Sequence, residues 1–473
     1  MVLLAVLALI AAACGGGDGG DEAEAEGGEA GDGEVSGEAT ILSAFTEPAD
    51  VAGVEAMIAL FQEQFPEASV THEGSPSFEE QALTRVQGGS PPEMMFIPQP
   101  GLMKDFFDRG AALPLDFVDT SQIEEEYVPG TLQSGTIGDQ LAGLPVRLTV
   151  KSLVWYPTQP FEEAGYEIPE TWQDMLDLTD QIKSDMGGDQ ARAPWCIGIE
   201  SGDATGWVLT DWVEDVVLRQ SGPDVYDEWV GHAVNFDSPE ITSAFEEVGN
   251  IWFTEGNVLG GRPNIVQTSF QAAPTPMFED PPACMLHRQA SFAPQLFGEG
   301  LEFETDYNFF YLPPIEDGGT GENPMLTAGD NLVAFDDSPV VQAFIEFAGT
   351  VEAQEAWAAE GNMLCSNANC DPSVYPSDAF VQQGELLANA SAARFDASDL
   401  MPAQVGTGAF WSEGTTWVVE GQDLQTTLTN IDAAWPEGAC GVGGVGPNCE
   451  AAAGGEAEET TTEAEETTTE SGS

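Results

Sequence analysis

The chain has 473 residues, which is more than one hydrophobic core usually serves, so two or three domains are expected. Its 82 acidic residues far outnumber its 11 basic residues and give a formal net charge of −71. A field of this sign repels nucleic acids and anionic lipids, so neither is expected as a partner. Because salt screens the repulsion between surface acids, the composition also suggests a saline habitat.

An apolar run without charges occupies residues 2–13. It is too short to span about 30 Å of hydrocarbon as a helix, and it has the length of the apolar region of a signal peptide. Three alanines precede Cys14, a pattern that resembles the lipobox of bacterial lipoproteins, in which the cysteine is acylated. Residues 1–14 are therefore predicted to be a lipoprotein signal peptide ending at Cys14, with the protein lipid-anchored on the outer face of the cell membrane or periplasmic. An ordinary signal peptide with a coincidental cysteine is the alternative.

The two ends of the chain differ in composition from its middle. Residues 15–38 contain Gly, Ala, Asp, Glu, Ser and one Val, and residues 450–473 contain only Glu, Thr, Ala, Gly and Ser. Neither stretch can bury enough apolar surface to offset the entropy of ordering. A disordered acidic spacer and a disordered Glu/Thr-rich tail are thus predicted on either side of a folded body, residues 39–449.

The folded body contains six cysteines, an even number that fits disulfides in an oxidising compartment, although six cysteines allow 15 pairings. The short sequence separations favour two local pairs and leave a third: Cys365–Cys370, Cys440–Cys449 and Cys196–Cys284. A zinc site is the alternative, but no CxxC occurs and the three histidines are scattered, so no metal and no other cofactor is expected.

Strand and helix patterns alternate at the start of the body. The predicted elements are a strand at 38–45, a helix at 51–65, a strand at 68–73, a helix at 77–87 and a strand at 93–98. This order is typical of an α/β fold with a parallel sheet, in which ligands bind beyond the carboxyl ends of the strands. The candidate ligand-binding residues at those ends are Glu47, Glu73, Pro98 and Gln99.

A long β-rich run at residues 143–156 follows, and the alternation then starts again. The later predicted elements are a helix at 172–184, a strand at 193–199, an amphipathic helix at 207–220, a β-rich stretch at 284–292, a strand at 307–313 and a strand with a helix at 327–359. The runs at 143–156 and 307–313 are candidates for chain crossings between two lobes.

Several separated stretches carry a family resemblance: FQEQFP with VTHEG, EMMFIPQPG with DRGAALPLD, GLPVRLTVKSLVWYP, IPETWQDMLDL, CIGIESGDATGWVLTDWVEDVVLR and VGTGAFW. Their order resembles the family 1 extracellular solute-binding proteins of ABC transporters, the maltose and α-glucoside binders in particular, over residues 39–435. The resemblance implies a two-lobed α/β fold of the periplasmic-binding-protein type (type II), whose hinge strands let the lobes close over a sugar. The expected lobes are 39–146 with 313–350, and 147–312 with 351–449.

A sugar offers apolar C–H faces and many hydroxyl groups, so its site needs aromatic planes together with carboxylate, amide or basic side chains. Trp207 and Asp211 lie one helical turn apart near the start of their helix, and Asp203 and Thr205 lie in the preceding loop. These four residues are expected to bind the ligand. Packing of Trp207, solvation of Asp211 and capping of the helix by the loop residues are the alternatives.

Basic residues are rare in this acidic body, so each one invites an explanation. Arg147 and Lys151 lie on the first candidate hinge strand, and the resemblance places His287, Arg288 and Gln289 in the cleft. Arg147, His287, Arg288 and Gln289 are expected to bind the ligand, with a salt bridge to a nearby acid as the alternative. For Lys151 the salt bridge is the favoured interpretation.

The segment VGTGAFW resembles the family segment that presents an aromatic ring to the sugar. Phe410 and Trp411 are its candidate ligand-binding residues, with core packing as the alternative.

The resemblance implies a binding protein and not an enzyme. It would capture a sugar, an α-glucoside disaccharide or oligosaccharide, and as a monomer deliver it to permease subunits that work with a cytoplasmic ATPase. A polyol, a glycerol phosphodiester or a polyamine is the alternative ligand for the same fold. A secreted glycoside hydrolase is the alternative from another class, because the many acids could include a catalytic carboxylate pair.

Overall fold

Strand and helix alternate at the start of the folded body as the sequence predicts. The computed structural model describes residues 35–361 and 363–454, so Cys14 and the apolar run before it lie outside the described residues. The strands of the described part are β1 Gly37–Ser43, β2 Ala68–Gly74, β3 Met94–Ile97, β4 Thr136–Ile137, β5 Gln140–Leu141, β6 Leu144–Val150, β7 Leu153–Pro157, β8 His287–Arg288, β9 Tyr307–Tyr311, β10 Met325–Ala334, β11 Leu364–Cys365 and β12 Ala393–Phe395.

The helices of the described part surround these strands. They are α1 Pro48–Gln64, α2 Phe78–Gln87, α3 Pro100–Asp108, α4 Thr120–Glu126, α5 Thr158–Glu163, α6 Trp172–Asp185, α7 Trp207–Val230, α8 Pro239–Trp252, α9 Arg262–Ile265, α10 Pro339–Ala348, α11 Val351–Ala358, α12 Asp378–Asn389, α13 Ala397–Leu400, α14 Trp411–Glu420, α15 Leu424–Ala433 and α16 Pro447–Gly454. Residues 450–454, predicted to begin the disordered tail, belong to α16, and residues 37–38 of the predicted spacer belong to β1.

The larger sheet has the strand order β11-β6-β10-β3-β1-β2, with β12 paired to the first residues of β10. β1 runs parallel to β2 and β3, as the alternating pattern predicts, whereas β10 runs antiparallel to β3 and β6. The carboxyl ends of β1 and β3 therefore meet at one edge of the sheet, which positions the loops that follow them. A second sheet has the order β8-β7-β9.

The two largest apolar cores of the described residues lie on these two sheets. In the first core, α1 buries Val54, Met57 and Phe61, and the Phe61 ring meets Phe344 of α10 edge to face at 5.1 Å. The second core is built around α6, α7 and α8 and includes Trp212, whose ring meets Trp252 at 5.9 Å. Each core buries the apolar face of its own helices, which gives the two-lobed α/β architecture that the sequence predicts.

The chain crosses between the two sheets at positions that differ from the expected lobe boundaries. β6 belongs wholly to the larger sheet and β7 to the smaller one, so the crossing falls at residues 151–152 and not between 146 and 147. The second crossing lies between β9 and β10, at residues 312–324.

Helix α11 was expected in the second lobe but packs on the first core. Its Trp357 meets the rings of Phe45 and Phe96 at 5.4 and 5.3 Å. The approach to α1 requires Gly53, because a Cβ atom there would lie 2.1 Å from the Trp357 ring. The boundary at residue 350 is therefore wrong for residues 351–358, because the burial of one tryptophan ties this helix to α1.

The predicted strand at 193–199 is also wrong in type. Trp195 makes only isolated bridges to Val258 and Leu286, and the segment runs through the second core without a continuous ladder. Its apolar residues are buried, which explains why the pattern indicated a buried strand.

The three predicted cysteine pairs are confirmed. Their Cα atoms lie 5.5 Å apart in Cys196–Cys284, 6.5 Å apart in Cys365–Cys370 and 5.0 Å apart in Cys440–Cys449, all within disulfide range. In the part of the chain that the structure describes, no helix has the length and apolar character needed to cross a membrane.

Candidate functional site

A cavity of about 550 Å³ opens where the carboxyl ends of β1 and β3 face segments of the second lobe. Its volume falls within the range of roughly 300–1,000 Å³ that is usual for small-molecule sites. Six of the sequence-predicted binding residues line it: Glu47, Pro98, Gln99, Arg147, Trp207 and Trp411.

Aromatic rings form much of the cavity wall. The lining rings are Phe45, Trp207, Phe270, Phe292 and Trp411. Trp207 meets Phe270 edge to face at 5.1 Å, and Phe292 lies 6.2 Å from it, so the Trp207 ring is held by its neighbours on the second lobe. Rings fixed in this way offer flat apolar surfaces to a ligand.

Gly206 brings two of these rings together. Its φ of +126° is readily available only to glycine, and a Cβ atom there would lie 2.7 Å from the Trp411 Cα. This close approach seats the start of α7, and with it Trp207, directly against the start of α14.

Arg147 anchors the wall on the first lobe. Its guanidinium donates to Asp330 at 3.0 Å and to Asp50 at 3.3 Å, and it lies 5.2 Å from the centre of the Phe45 ring. Burial opposes the charge of Arg147, but the two carboxylates outweigh burial and raise its pKa, so the group stays charged. Arg147 thus joins α1, β6 and β10 at the edge of the cavity.

Lys151, in the link between the two sheets, anchors the other side. Its Nζ donates to Asp211 of α7 at 2.7 Å and to Asp396 at 2.5 Å, and it lies 5.3 Å from the centre of the Trp207 ring. The favoured salt-bridge interpretation of Lys151 agrees with these contacts. Burial opposes its charge, and the two carboxylates outweigh burial and raise its pKa.

The two carboxyl partners of Lys151 and the nearby Asp399 differ in the direction or cause of their pKa shifts. Burial raises the pKa of Asp211 to about 7, although Lys151 opposes this rise. Asp396 differs, because Lys151 and hydrogen bonds from its neighbours overcome burial and lower its pKa. Burial, followed by the charge of Asp396, raises the pKa of Asp399 well above its ordinary value.

Asp211, Glu214 and Asp396 place carboxylate oxygens within 4.8 Å of one another, a grouping that suits a metal in donor type. Their acceptors are already used, since Lys151 donates to two of them and the backbone N–H groups of residues 397 and 398 donate to Glu214 at 3.0 Å. The cluster therefore fits a buried ionic junction between α7 and α13 and not a metal centre.

The other predicted binding residues on the second lobe lie behind the cavity wall. Arg288 is completely enclosed, donating to Asp211 at 3.2 Å and to Asp215. His287 is fixed through its Nδ1 to the Cys196 carbonyl at 2.9 Å, and burial lowers its pKa to about 4. None of the residues His287, Arg288, Gln289 and Asp211 lines the cavity, and all four are buried, so their contact with a ligand stays a prediction that this geometry does not support.

Phe410 is also a core residue. Its ring packs against Trp229, Phe236 and Phe245 at 5.1–5.8 Å, and it is fully buried. Of the predicted pair, only Trp411 reaches the cavity, because consecutive helical residues point in different directions.

The remaining predicted residues are engaged locally. Glu73 pairs with Arg85 on the neighbouring helix, outside the cavity. Thr205 Oγ1 donates to the Gly202 carbonyl and accepts from the Ser201 N–H, so it closes its own loop and does not cap α7, whose N-cap residue is Gly206. Asp203 is exposed beside the lining residue Gly202. These three are placed next to the cavity and not in its lining.

Several polar residues of the lining are not among those predicted from the sequence, namely Asp50, Glu79, Asp330, Asp396 and Asp399. One signal was present, since Asp330 is the one charged residue of the buried strand MLTAGDNLVA. The others had no distinguishing pattern among the many acids of the body.

Comparison of the sequence with known protein families identifies one family that matches this chain. A family profile described as "Bacterial extracellular solute-binding protein" matches residues 44–355. The chain belongs to this family. The family is described as one of extracellular solute-binding proteins, and the relatives reported below are named as binding proteins.

Two relatives match most of this solute-binding protein. It is 38% identical over 373 residues to the "Alpha-glucosides-binding periplasmic protein AglE" of Rhizobium meliloti, covering 77% of this chain and 80% of that protein. It is 36% identical over 368 residues to the "Osmoprotective compounds-binding protein GgtB" of Synechocystis, covering 78% of this chain and 85% of that protein.

Solved structures confirm the fold. The galactose receptor AcbH superposes with a TM-score of 0.71 at 16% identity, covering 84% of this solute-binding protein and 97% of that chain. Maltose-bound MalE3 of T. maritima gives a TM-score of 0.67 at 15% identity, covering 84% and 98%. The predicted two-lobed fold and the predicted family are thus both confirmed.

Proposed function

We propose that this solute-binding protein captures an uncharged sugar, an α-glucoside disaccharide or oligosaccharide, in the cavity between its lobes and delivers it to the permease of an ABC transporter. The cavity is the observation that supports this most. It combines the aromatic planes of Trp207 and Trp411 with the carboxyl, amide and guanidinium groups of the wall, the two kinds of surface that a sugar presents for recognition.

The relatives support the same ligand class. One is named for binding α-glucosides and the other for binding osmoprotective compounds, and both match this chain over more than three quarters of its length. The shared family makes a transporter permease and its cytoplasmic ATPase the natural partners.

Contacts across the cavity mouth support capture by closure of the lobes. Gln271 on the second lobe donates to Glu47 on the first at 2.6 Å, and Gln295 approaches Asp50 at 3.5 Å. A ligand that fills the cavity would stabilise the closed arrangement in which these contacts form.

The charge of the lining decides between the alternative ligands. Seven acidic residues line the cavity with only Arg147 and Lys151 as bases, so an anionic glycerol phosphodiester is disfavoured. A polyol is compatible with the same groups. A polyamine would find several carboxyl groups, but the raised pKa of Asp399 favours an uncharged ligand.

Isothermal titration calorimetry tests the ligand class directly. The titrants are maltose, trehalose, sucrose, glycerol, glycerophosphocholine and spermidine, each added to the full chain. One-to-one binding of at least one α-glucoside supports the proposal. Heat only from spermidine would replace the sugar with a cation, and heat from none of the sugars would end the sugar proposal.

We also propose that the protein binds without turnover. The family and the relatives are described as binding proteins. In the cavity lining, Arg147 forms ion pairs with Asp50 and Asp330, and Lys151 forms one with Asp396. Prolonged incubation with each sugar, followed by chromatography of the products, should recover the sugar intact. Release of monosaccharide would favour the hydrolase alternative.

A lipid anchor at Cys14 completes the proposal, with the protein acting as a monomer outside the cytoplasm. Three disulfides use six of the seven cysteines. The seventh is Cys14, at the end of an apolar run. The acidic segment after it would let an anchored binder reach its permease. Mass spectrometry of the native N-terminus should find an acylated Cys14; an unmodified cysteine or cleavage elsewhere would make the protein a freely released binder. Light scattering of the purified chain tests the monomer.

A further inference from the structure

One end of the cavity is formed by Glu79, Gln99 and Asp399, which come from three different elements. Gln99 precedes α3 and donates from Nε2 to Glu79 Oε1 of α2 at 2.9 Å. The first turn of α3 lies directly on α13, since a Cβ atom on Gly101 would lie 1.8 Å from the Met401 carbonyl and 3.2 Å from that of Asp399. This approach brings the three side chains to one end of the cavity, called the polar end below.

Two hydrogen-bonding atoms of the cavity lining lack a protein partner. Gln99 is 4% exposed and its Oε1 is buried without a donor among the described residues. Trp411 is also 4% exposed, and its indole N–H has no acceptor there. Buried polar atoms are rarely left unpaired, because desolvation without a hydrogen bond is costly. One acceptor and one donor in the same lining call for a ligand that both donates and accepts, as a hydroxyl group does.

The carboxyl groups at the polar end also lack cationic partners. No ion pair is formed by Glu79 or Asp399 among the described residues, unlike Asp50, Asp330 and Asp396. Asp399 is buried and Glu79 is half-buried. A carboxylate that loses water without gaining a cation is unfavourable, whereas a neutral carboxyl group can donate one hydrogen bond and accept others.

We propose that Glu79 and Asp399 bind hydroxyl groups of the sugar as neutral carboxylic acids, together with the Gln99 carbonyl, so that capture of the uncharged ligand is coupled to retention of protons at the polar end. The inference rests on the proposed function and adds a regulation to it. Glu79 accepts from Gln99 through one oxygen and keeps its proton on the other, which donates to a ligand hydroxyl. That hydroxyl keeps its own hydrogen to donate to Gln99 Oε1.

The groups that surround the two acids support neutral forms. Burial, with the charge of Asp203 adding to it, raises the pKa of Glu79 against the hydrogen bond from Gln99. Asp399 is faced by Asp396, Asp211 and Glu79, which raise its pKa with burial, and by Lys151, which opposes them.

The sign of the pH dependence follows from linkage. A bound sugar excludes water and hydrogen-bonds to the neutral acids, so it raises their pKa values further. Binding then takes up protons at any pH where the free acids are ionised. Affinity should be constant below the pKa values of the free protein and fall above them, by up to about tenfold per pH unit for each proton taken up.

The test is calorimetry of the full chain with maltose, trehalose and sucrose between pH 5 and 9, each in two buffers of different ionisation enthalpy. We expect the affinity for the tightest-binding sugar to fall toward high pH. The binding enthalpy should differ between the two buffers, because proton uptake by the protein releases protons from the buffer. Constant affinity with buffer-independent heat would overturn it while leaving sugar capture intact. Absence of binding by all three sugars at every pH would overturn the proposed function and the inference together.

Asp211 also titrates, so variants must separate the polar end from the ionic junction. Glu79→Gln and Asp399→Asn keep a donor at each position without a charge, and the double variant should retain binding at pH 9 and lose the pH dependence. Glu80→Gln is the matched control, because Glu80 neighbours Glu79 in α2, is exposed and does not line the cavity. A double variant that binds no better than Glu79→Ala at pH 5, or that keeps the wild-type pH profile, would contradict the inference.

Discussion

Replacement of Lys151 by methionine is the most informative change to the ionic junction between α7 and α13. Methionine has a similar length but cannot donate to Asp211 at 2.7 Å or to Asp396 at 2.5 Å. The exposed fractions of the three side chains are only 7%, 0% and 2%, so water cannot replace the lost ammonium. The variant therefore leaves Asp396 without its cation and leaves Asp211 with Arg288 as its remaining cationic partner.

Removing one partner of a buried ion pair usually costs about 3–5 kcal/mol, and two carboxylates depend on Lys151, so we expect a loss near the upper end of about 5 kcal/mol. The loss depends on pH. Without Lys151 the pKa of Asp211 rises above its present value of about 7 and far above the unfolded value of about 3.9. The resulting penalty is absent below the unfolded pKa and grows as pH rises toward the folded pKa, so the loss should be large at pH 8 and smaller at pH 5.

Urea unfolding followed by tryptophan fluorescence at pH 5 and pH 8 measures the effect. Lys104→Met is the control, because Lys104 pairs with Asp108 on an exposed helix face, where such pairs contribute about 0.5 kcal/mol. A loss for Lys151→Met that is no larger than that of the control, or that grows toward low pH, would refute the assignment of Lys151 as a buried junction.

Three further substitutions test the aromatic wall, the closure of the lobes and one disulfide. Trp207→Ala should weaken sugar binding by about tenfold or more in calorimetry, because it removes a stacking plane worth roughly 0.5–1.5 kcal/mol in addition to its buried area; unchanged affinity would remove Trp207 from the site. Glu47→Ala should weaken binding chiefly by faster dissociation in stopped-flow fluorescence, because it breaks the 2.6 Å contact with Gln271 across the mouth; an effect confined to association would contradict closure. Serine replacement of both Cys196 and Cys284, 88 residues apart, should cost about 4–5 kcal/mol of unfolding free energy in urea, and a loss below about 1 kcal/mol would argue against that bond.

Local patterns predict the first lobe well. The alternation between residues 38 and 98 gives β1, α1, β2, α2 and β3 with ends within three residues of those observed, because each element has its own periodicity and Pro66 stops the first helix. The strand-end rule then places Glu47, Pro98 and Gln99 in the cavity lining. The same rule misplaces Glu73, because it cannot foresee that Arg85 draws that side chain away.

The ionic junction could not be predicted in the same way. Arg288 and Asp211 are 77 residues apart, and nothing local indicates that they are enclosed together behind the cavity wall. A rare base in an acidic chain suggested a ligand contact, whereas the structure uses the base to neutralise acids buried by α7. The polar end could not be predicted for a related reason, since Glu79 and Asp399 are far apart in the sequence and line the same cavity only in the folded chain.

The most direct test of sugar capture is a crystal structure of the protein soaked with the α-glucoside that binds most tightly. We expect a sugar in the cavity between the lobes, with ring carbons within about 4 Å of Trp207 or Trp411 and a hydroxyl oxygen within about 3 Å of Gln99 Oε1. A sugar bound outside this cavity, or seated in it without contact to either tryptophan, would contradict it.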